Sequence, residues 1–240
     1  MLAALLILFH AGQPTTDLGL LIEPRDLDQM LKGKLVLALD TRSPEAYAQG
    51  HISGAIRVEV KTWQDQCRKP GGFRDDTAWA HLIGSLGIMQ QTKVVVYGDQ
   101  LPETARAWWL LKYLGLKDVA ILNGGWKSWM KANLAIETQI AMPKTGNFQP
   151  HFQTNRLEEI EQLKTALQSG TAKAKVVDAR SNDEFTGKEI RGKRGGNIPG
   201  STHLEWKELL DQDGRFLPTI ALQVLFKRKG ITPEDTLITC

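Results

Sequence analysis

The two cysteines are the side chains of this sequence best suited to covalent chemistry. Cys67 lies between Gln66 and Arg68, and Cys240 ends the apolar stretch Thr236–Cys240. Two cysteines cannot form a disulfide framework or a cysteine-rich zinc site. A thiol reacts as its thiolate, and its ordinary pKa of about 8.5 must fall for that form to dominate at neutral pH. Chemistry at either cysteine therefore needs positive potential around the sulfur.

A cluster of basic residues could supply an anion-binding surface. It lies just before Gly195 and comprises Lys188, Arg191, Lys193 and Arg194. The whole chain has 30 Lys and Arg against 27 Asp and Glu, a net charge of +3. That excess is too small to indicate a nucleic-acid or membrane partner, so we expect neither. The cluster either draws in an anionic substrate or is an ordinary solvated loop.

The elements that must position these residues occur twice. The stretch Leu35–Ser43 recurs as Lys173–Ser181 at an offset of 138, which aligns Asp40-x-Arg42 with Asp178-x-Arg180. Further on, 51–55 matches 197–201 at an offset of 146, so the second copy carries eight extra residues. Beyond them Phe73 matches Phe216 at 143. Similarity in the same order indicates duplication, and each copy is long enough to be a domain.

Each copy alternates short apolar runs with amphipathic segments, which predicts an α/β fold with a mostly parallel sheet flanked by helices. The length of 240 residues and the 42% hydrophobic content are those of a two-domain globular chain. In the first copy we predict strands at 35–39, 93–97 and 119–122, and helices at 44–49, 77–86, 103–114 and 126–132.

Four segments follow from this pattern. We expect an N-terminal extension over 1–19, a first domain over 20–135, a polar linker over 136–154 and a second domain over 155–240. The apolar run Leu2–Phe9 is too short to span a membrane and has no basic residue before it. A cytoplasmic location is expected, with a periplasmic one as the alternative if this run is an incomplete export signal.

Several motifs in this order resemble the rhodanese domain. They are Asp40-Thr-Arg42, Tyr47-x-x-x-His51-Ile-Ser-Gly-Ala55 and Leu122-Asn-Gly-Gly-Trp126-x-x-Trp129. Two copies are similar to the tandem sulfurtransferases that act on thiosulfate or 3-mercaptopyruvate. The resemblance implies two tandem rhodanese-like domains, the second incomplete. Departures are Ser53 in place of proline in the first copy and Asn197 in place of histidine in the second, both at turn positions.

The resemblance implies that the first domain is non-catalytic and that Cys240 is the nucleophile of the second. Strand 93–97 runs into Gly98 and Asp99 with no cysteine, whereas the matching strand ends in Cys240. By strict register Cys240 aligns with Tyr97, one residue before the family's cysteine, so either this strand is one residue short or the nucleophile is at the position after Cys240. The sequence ends where the family has its anion-binding loop, so we expect the chain as given to be inactive or nearly so.

For the complete protein, the resemblance implies that sulfur passes through a cysteine persulfide to a thiol or cyanide. No metal or organic cofactor is expected, and the chain is expected to be a monomer. Arg191, Arg194 and Lys188 are candidates for substrate binding, and Trp206 is a candidate for the pocket wall or for ordinary packing. Asp178 and Arg180 are expected to support the site.

Several other residues have structural interpretations, and two alternative functions remain open. The family often has a substrate-binding arginine where this chain has Glu184, so the donor stays open. His51 is expected to stabilise a turn, and Cys67 to be an ordinary loop thiol. A non-catalytic binding module of the same fold remains the main alternative to an enzyme. A phosphatase of that fold is a third possibility, and tandem duplication argues against it.

Overall fold

The computed structural model describes residues 18–169 and 174–240. The chain divides into two compact units, the first ending at Arg156 and the second containing 157–240. The run Leu2–Phe9 and most of the predicted extension lie outside the described residues. Within those residues, no helix has the length and apolar character needed to cross a bilayer. Compartment and oligomeric state stay predictions.

The first unit is built on a parallel sheet of five short strands in the order β1-β6-β5-β2-β4. A separate antiparallel pair joins β3 to β7. The strands are β1 (Leu21–Ile22), β2 (Leu37–Asp40), β3 (His51–Ile52), β4 (Ile56–Arg57), β5 (Val94–Tyr97), β6 (Val119–Leu122) and β7 (Ile136–Glu137). Every residue of β5 and β6 is buried, as expected of central strands covered on both faces.

Six helices surround these strands, and local signals explain where several of them begin. They are α1 (Pro24–Lys32), α2 (Pro44–Gln49), α3 (Val60–Arg68), α4 (Asp76–Gly84), α5 (Leu101–Tyr113) and α6 (Gly125–Lys131). Ser43 caps α2 by accepting from Ala46 N–H, and Asp75 caps α4 by accepting from Ala78 N–H. Proline at the first helical position of α1 and α2 fits because its missing N–H would be unpaired there anyway.

The segment predicted as a polar linker lies against the first unit. At its start, β7 pairs with β3, and Glu137 accepts from the backbone N–H of Gly54 at 2.7 Å. Further along, Phe148 is buried, and Gly146 N–H donates to the carbonyl of Gly84 at 2.8 Å. This stretch of chain is thus attached to the first unit by backbone pairing and by a buried aromatic ring.

The second unit contains a three-stranded parallel sheet in the order β10-β8-β9. Its strands are β8 (Lys175–Asp178), β9 (Thr202–His203) and β10 (Leu237–Thr239), and its helices are α7 (Ile160–Gln168), α8 (Asn182–Thr186) and α9 (Thr219–Arg228). Val176, Val177, Leu204 and Leu222 are among its buried apolar residues. The α/β class with a mostly parallel sheet, expected from the sequence, is confirmed.

The two sheets pair their strands in the same register. In the first unit Leu39 is opposite Val96 and Ile56. In the second, Val177 is opposite Thr239 and Thr202. These three residues match Leu39, Val96 and Ile56 at the repeat offsets of 138, 143 and 146, respectively. The strand predicted at 35–39 begins two residues later, as β2, and the one predicted at 93–97 begins one residue later, as β5. Strand β6 and helix α2 have the predicted bounds.

Candidate active site

Cys240, Asp178 and His203 form a row across the carboxyl ends of three neighbouring strands. Asp178 is the register partner of His203. Cys240 pairs on the other side, because its N–H donates to Val177 and its carbonyl accepts from Ala179 N–H. Side chains opposite each other in a sheet point to the same face, with strands about 4.8 Å apart. The three side chains therefore share one face at the edge where open α/β sheets bind ligands.

The carboxylate of Asp178 is fully buried and paired with Arg180. Arg180 donates to it from the backbone N–H at 3.1 Å, from Nε at 2.9 Å and from Nη2. Burial raises the pKa of Asp178, but these bonds and the charge of Arg180 outweigh burial, so the pKa lies below its ordinary value. The carboxylate therefore stays charged at neutral pH, and support of the site by this pair stays a prediction.

The thiol of Cys240 is half-buried beside this ion pair. Its sulfur lies 3.9 Å from the carbonyl oxygen of Val177. Burial and the negative charge of Asp178 raise the pKa of Cys240, and Arg180 opposes them. At Cys67, in α3, burial raises the pKa to about 11. Both thiols are therefore mostly protonated at neutral pH, and any activation of Cys240 must come from further positive potential.

The basic cluster lies on an exposed loop, residues 187–196, that is linked to the Asp178–Arg180 pair. Arg180 Nη2 donates to the carbonyl of Gly196 at 2.9 Å. Arg191 Nε lies 2.9 Å from Glu189 and 3.2 Å from Glu184, and these acidic neighbours raise its pKa. Much of the positive charge of Arg191 is thus offset locally.

The remaining basic candidates on this loop are also at the surface. Lys188 Nζ lies 3.4 Å from a carboxylate oxygen of Asp183, and both Arg194 and Lys193 are exposed. The structure therefore joins this loop to Arg180 through Gly196 and pairs Arg191 with Glu184, whereas Lys188 and Arg194 are exposed on the same loop. Their binding role stays a prediction.

Glu184, at the position where the resemblance leads one to expect arginine, has a structural task. Its carboxylate accepts from the backbone N–H and hydroxyl of Ser181, whose hydroxyl accepts from Glu184 N–H. This reciprocal capping box begins α8. The same carboxylate faces Arg191, so the basic group at this point of the site comes from the loop rather than from α8.

Trp206 joins the site through its backbone. Its N–H donates to the carbonyl of Ala179 at 3.1 Å, next to Arg180. The ring is half-buried, and Lys207 Nζ lies 5.7 Å from its centroid. This contact ties the start of the turn 206–209 to the loop after β8. A role for the ring in the pocket wall stays a prediction.

In the first unit, Tyr97 occupies the place of Cys240. Its carbonyl accepts from Thr41 N–H, just as that of Cys240 accepts from Ala179 N–H. The Tyr97 side chain is fully buried, and its hydroxyl accepts from Ile52 N–H at 3.1 Å. Arg42 pairs with Asp40 and lies 3.8 Å from the ring of Trp126. The corresponding space in the first unit is therefore filled by packed side chains.

The His-to-Asn departure between the copies preserves one hydrogen bond. His51 Nδ1 lies 2.9 Å from the carbonyl of Tyr47, and Asn197 Nδ2 donates to the equivalent carbonyl of Phe185 at 3.1 Å. His51 also stacks on the Tyr47 ring at 3.8 Å. Both contacts agree with a turn-stabilising role for His51.

His203 is the member of the row that motif reading alone missed. The available signal was the internal repeat, because His203 matches Arg57 at the 146 offset. Among residues 18–169 and 174–240, no group of three or more His, Cys, Asp or Glu side chains is arranged to hold a metal ion.

Comparison with known proteins identifies similar sequences over most of the chain. The sequence model of the family of rhodanese-like domains matches residues 23–132. The thiosulfate sulfurtransferase of Azotobacter vinelandii is 30% identical over 225 residues, which cover 93% of this chain and 82% of that protein. The 3-mercaptopyruvate sulfurtransferase of Escherichia coli K12 is 28% identical, and the match covers 83% of this chain and 72% of that protein.

Solved structures agree on the fold. The crystal structure of SseA from Escherichia coli, a 3-mercaptopyruvate sulfotransferase with the rhodanese fold, matches with a TM-score of 0.79 at 24% identity. That match covers 92% of this chain and 87% of SseA. The structure of EanB matches with a TM-score of 0.75 at 23% identity, and the match covers 92% of this chain and 59% of EanB.

Proposed function

Because the chain belongs to the rhodanese family and is a sulfurtransferase by its relatives, we propose that Cys240 is its nucleophile. One observation carries the proposal. Cys240 directly follows β10 at the carboxyl edge of the sheet, next to the Asp178–Arg180 pair on the neighbouring strand β8. In open α/β sheets this edge is where ligands bind, and the basic loop joins it through Gly196.

The proposed reaction has two displacement steps. The Cys240 thiolate attacks the outer sulfur of thiosulfate, an Sγ–S bond forms, and the S–S bond of the donor breaks as sulfite leaves with the electron pair. The thiolate of an acceptor, or cyanide, then attacks the outer sulfur of the persulfide. The Cys240 thiolate leaves, and the acceptor carries the sulfur away. A covalent intermediate splits one difficult transfer into two easier ones.

The donor is proposed to be thiosulfate, with 3-mercaptopyruvate as the other option, because relatives of both names match the chain. Both donors are anions, which suits a site with basic residues at its rim. Arg191 and Arg194 are proposed to contribute to donor binding, with Lys188 adding long-range attraction. Glu184 and Glu189 offset part of the Arg191 charge, which favours modest affinity.

We also propose that the chain consists of two rhodanese-like domains related by duplication, over 20–135 and 155–240, with only the second catalytic. The shared strand register supports this proposal. The equivalent backbone pairing of Tyr97 and Cys240 also supports the duplication, and the first copy has no cysteine at or just after Tyr97.

A second candidate is a binding module without turnover. The pKa of Cys240, raised by burial and by Asp178, favours it, because a protonated thiol is a poor nucleophile. Sulfur uptake separates the two candidates. A binding module leaves Cys240 unmodified, whereas the enzyme gains one sulfur atom on that residue.

The test is the intact mass of the protein before and after incubation with thiosulfate, followed by cyanide. In the complete protein, for which the resemblance implies this reaction, we expect a gain of one sulfur atom, removed by cyanide with release of thiocyanate. Cys240→Ser should gain none, and Cys67→Ser, the matched control, should behave like the parent chain. Sulfur gained by Cys240→Ser would refute Cys240 as the nucleophile, and no sulfur gained by the complete protein would favour the binding module.

A further inference from the structure

His203 has contacts that the proposed reaction does not use. Its Nε2 lies 3.0 Å from the carbonyl oxygen of Arg180. A carbonyl only accepts hydrogen bonds, so this ring nitrogen carries a proton and donates. Arg180 is thus held at two ends. Its guanidinium binds Asp178, and its carbonyl binds His203 on the neighbouring strand.

The imidazole itself is fixed by its surroundings. Its ring stacks on Phe185 of α8, with centroids 4.5 Å apart. The backbone carbonyl of His203 accepts a hydrogen bond from Lys229 Nζ at 2.9 Å. The same ammonium group lies 3.1 Å from Glu208 Oε1. A ring held by a stacked aromatic and by its own strand loses little entropy when it makes one more hydrogen bond.

The first unit contains the same arrangement with a different residue. Arg57, the equivalent of His203, donates from Nη1 to the carbonyl of Arg42 at 3.4 Å. Arg42 is the equivalent of Arg180, and both follow a buried aspartate. In both units, then, a donor on the neighbouring strand meets the carbonyl of the arginine. The common feature is a donated N–H at this carbonyl, whichever side chain supplies it.

We propose that His203 is a positioning residue for Cys240, which holds the loop that carries Arg180 against the end of β8. The proposal rests on the proposed function only in taking Cys240 as the reacting thiol. His203 and Cys240 lie about 10 Å apart across two strand spacings, so the effect passes through Asp178 and Arg180 rather than by contact.

The direction of the effect follows from the charges near Cys240. The negative charge of Asp178 raises the pKa of that thiol, and the positive charge of Arg180 lowers it. If the Arg180 carbonyl loses its donor, the loop gains freedom, and the guanidinium spends less time near the thiol. The charged groups packed around His203 are Asp178, Arg180 and, at its backbone, Lys229 with Glu208. Losing His203 should therefore leave less thiolate at Cys240.

The experiment measures alkylation of Cys240 by iodoacetamide across a pH series, with peptide mass spectrometry to separate it from Cys67. His203→Leu keeps an apolar group against Phe185 but removes the donor. We expect it to slow alkylation of Cys240 near neutral pH by about threefold to tenfold and to move the profile to higher pH. His203→Arg, the residue of the first copy, should recover most of the parent rate.

Two controls accompany these variants. Cys67 is the internal reference, because it lies in the other unit and its rate should not change. His81→Leu removes an exposed histidine of α4 and should leave both rates unchanged. Hydrogen exchange of β8 and β9 reports whether the second unit of each variant is folded.

An unchanged Cys240 profile in folded His203→Leu would overturn the proposal, as would His203→Arg that reacts as slowly as His203→Leu. If His203→Leu does not fold, folded His203→Arg decides alone, and a profile displaced from the parent refutes the role. Sulfur uptake is measured separately. Absence of uptake refutes the reaction, whereas absence of the alkylation shift refutes the positioning role.

Discussion

Arg180 surrounds the carboxylate of Asp178 with three hydrogen bonds, two from its side chain and one from its own backbone N–H. Asp178 is fully buried, whereas the Arg180 side chain keeps 30% of its surface exposed. The buried charge thus depends on a partner that reaches it from the rim of the site. This relationship makes the pair sensitive both to substitution and to pH.

Arg180→Ala should destabilise the second unit by about 3 kcal/mol, because it leaves a buried carboxylate without its partner. The matched control is Arg68→Ala, which removes an exposed partner of Asp65 and should cost less than about 1 kcal/mol. Hydrogen exchange resolved by unit measures both. Equal, small losses in the two variants would mean that the Asp178 pair contributes no more than a surface pair.

The stability of the second unit should fall in acid. The folded pKa of Asp178 lies below its unfolded value of about 3.9, so its contribution is fully present above that value. It is lost as pH falls through the folded pKa. Asp235, whose pKa is lowered by its bond to Lys175, acts in the same direction. Denaturant unfolding between about pH 6 and pH 2 should show the decline, and Asp178→Asn should show a weaker one.

Asn197→Ala should cost about 1 kcal/mol in the second unit, because the carbonyl of Phe185 loses its donor. Asn197→His restores the residue of the first copy and should stay within about 0.5 kcal/mol of the parent chain. Thermal unfolding distinguishes the two variants. If Asn197→His is destabilised as much as Asn197→Ala, a histidine at this position does not form the hydrogen bond that His51 forms in the first unit.

Gly125→Ala should destabilise the first unit by about 2 kcal/mol more than Gly54→Ala. Both glycines have positive φ, 55° and 75°, so both variants bear the left-handed penalty. A Cβ at Gly125 would overlap the carbonyl oxygen of Gly98, whereas one at Gly54 meets nothing within 4 Å. Chemical denaturation measures the free energy of unfolding of both variants. An equal decrease in the two would show that the loop at Gly98 moves aside at little energetic cost.

Combined replacement of Arg191 and Arg194 by glutamine should raise the apparent KM for thiosulfate about threefold and flatten its salt dependence. The control is Lys164→Gln, which removes an exposed positive charge of α7. Steady-state kinetics over a salt series gives both quantities. Unchanged kinetics in the double variant would make residues 187–196 an ordinary surface loop.

Local patterns were enough to predict most elements of the sheet. Runs such as Val94–Tyr97 and Val119–Leu122 are apolar throughout, because central parallel strands are buried on both faces. The internal repeat aligned Asp178 and Arg180 with Asp40 and Arg42, and the structure forms the same ion pair in both units. Strand ends were less accurate, because the edge of a strand depends on its neighbours.

The sequence by itself determined the α/β class, the repeat offsets and the cysteine that ends a strand, because short-range periodicity and order along the chain carry that information. Only the tertiary structure decided which charges meet. Arg191 lies between Glu184 and Glu189, and His203 reaches the carbonyl of Arg180. Such contacts depend on loop closure and strand register, which bring distant residues within hydrogen-bonding distance and which no local pattern encodes.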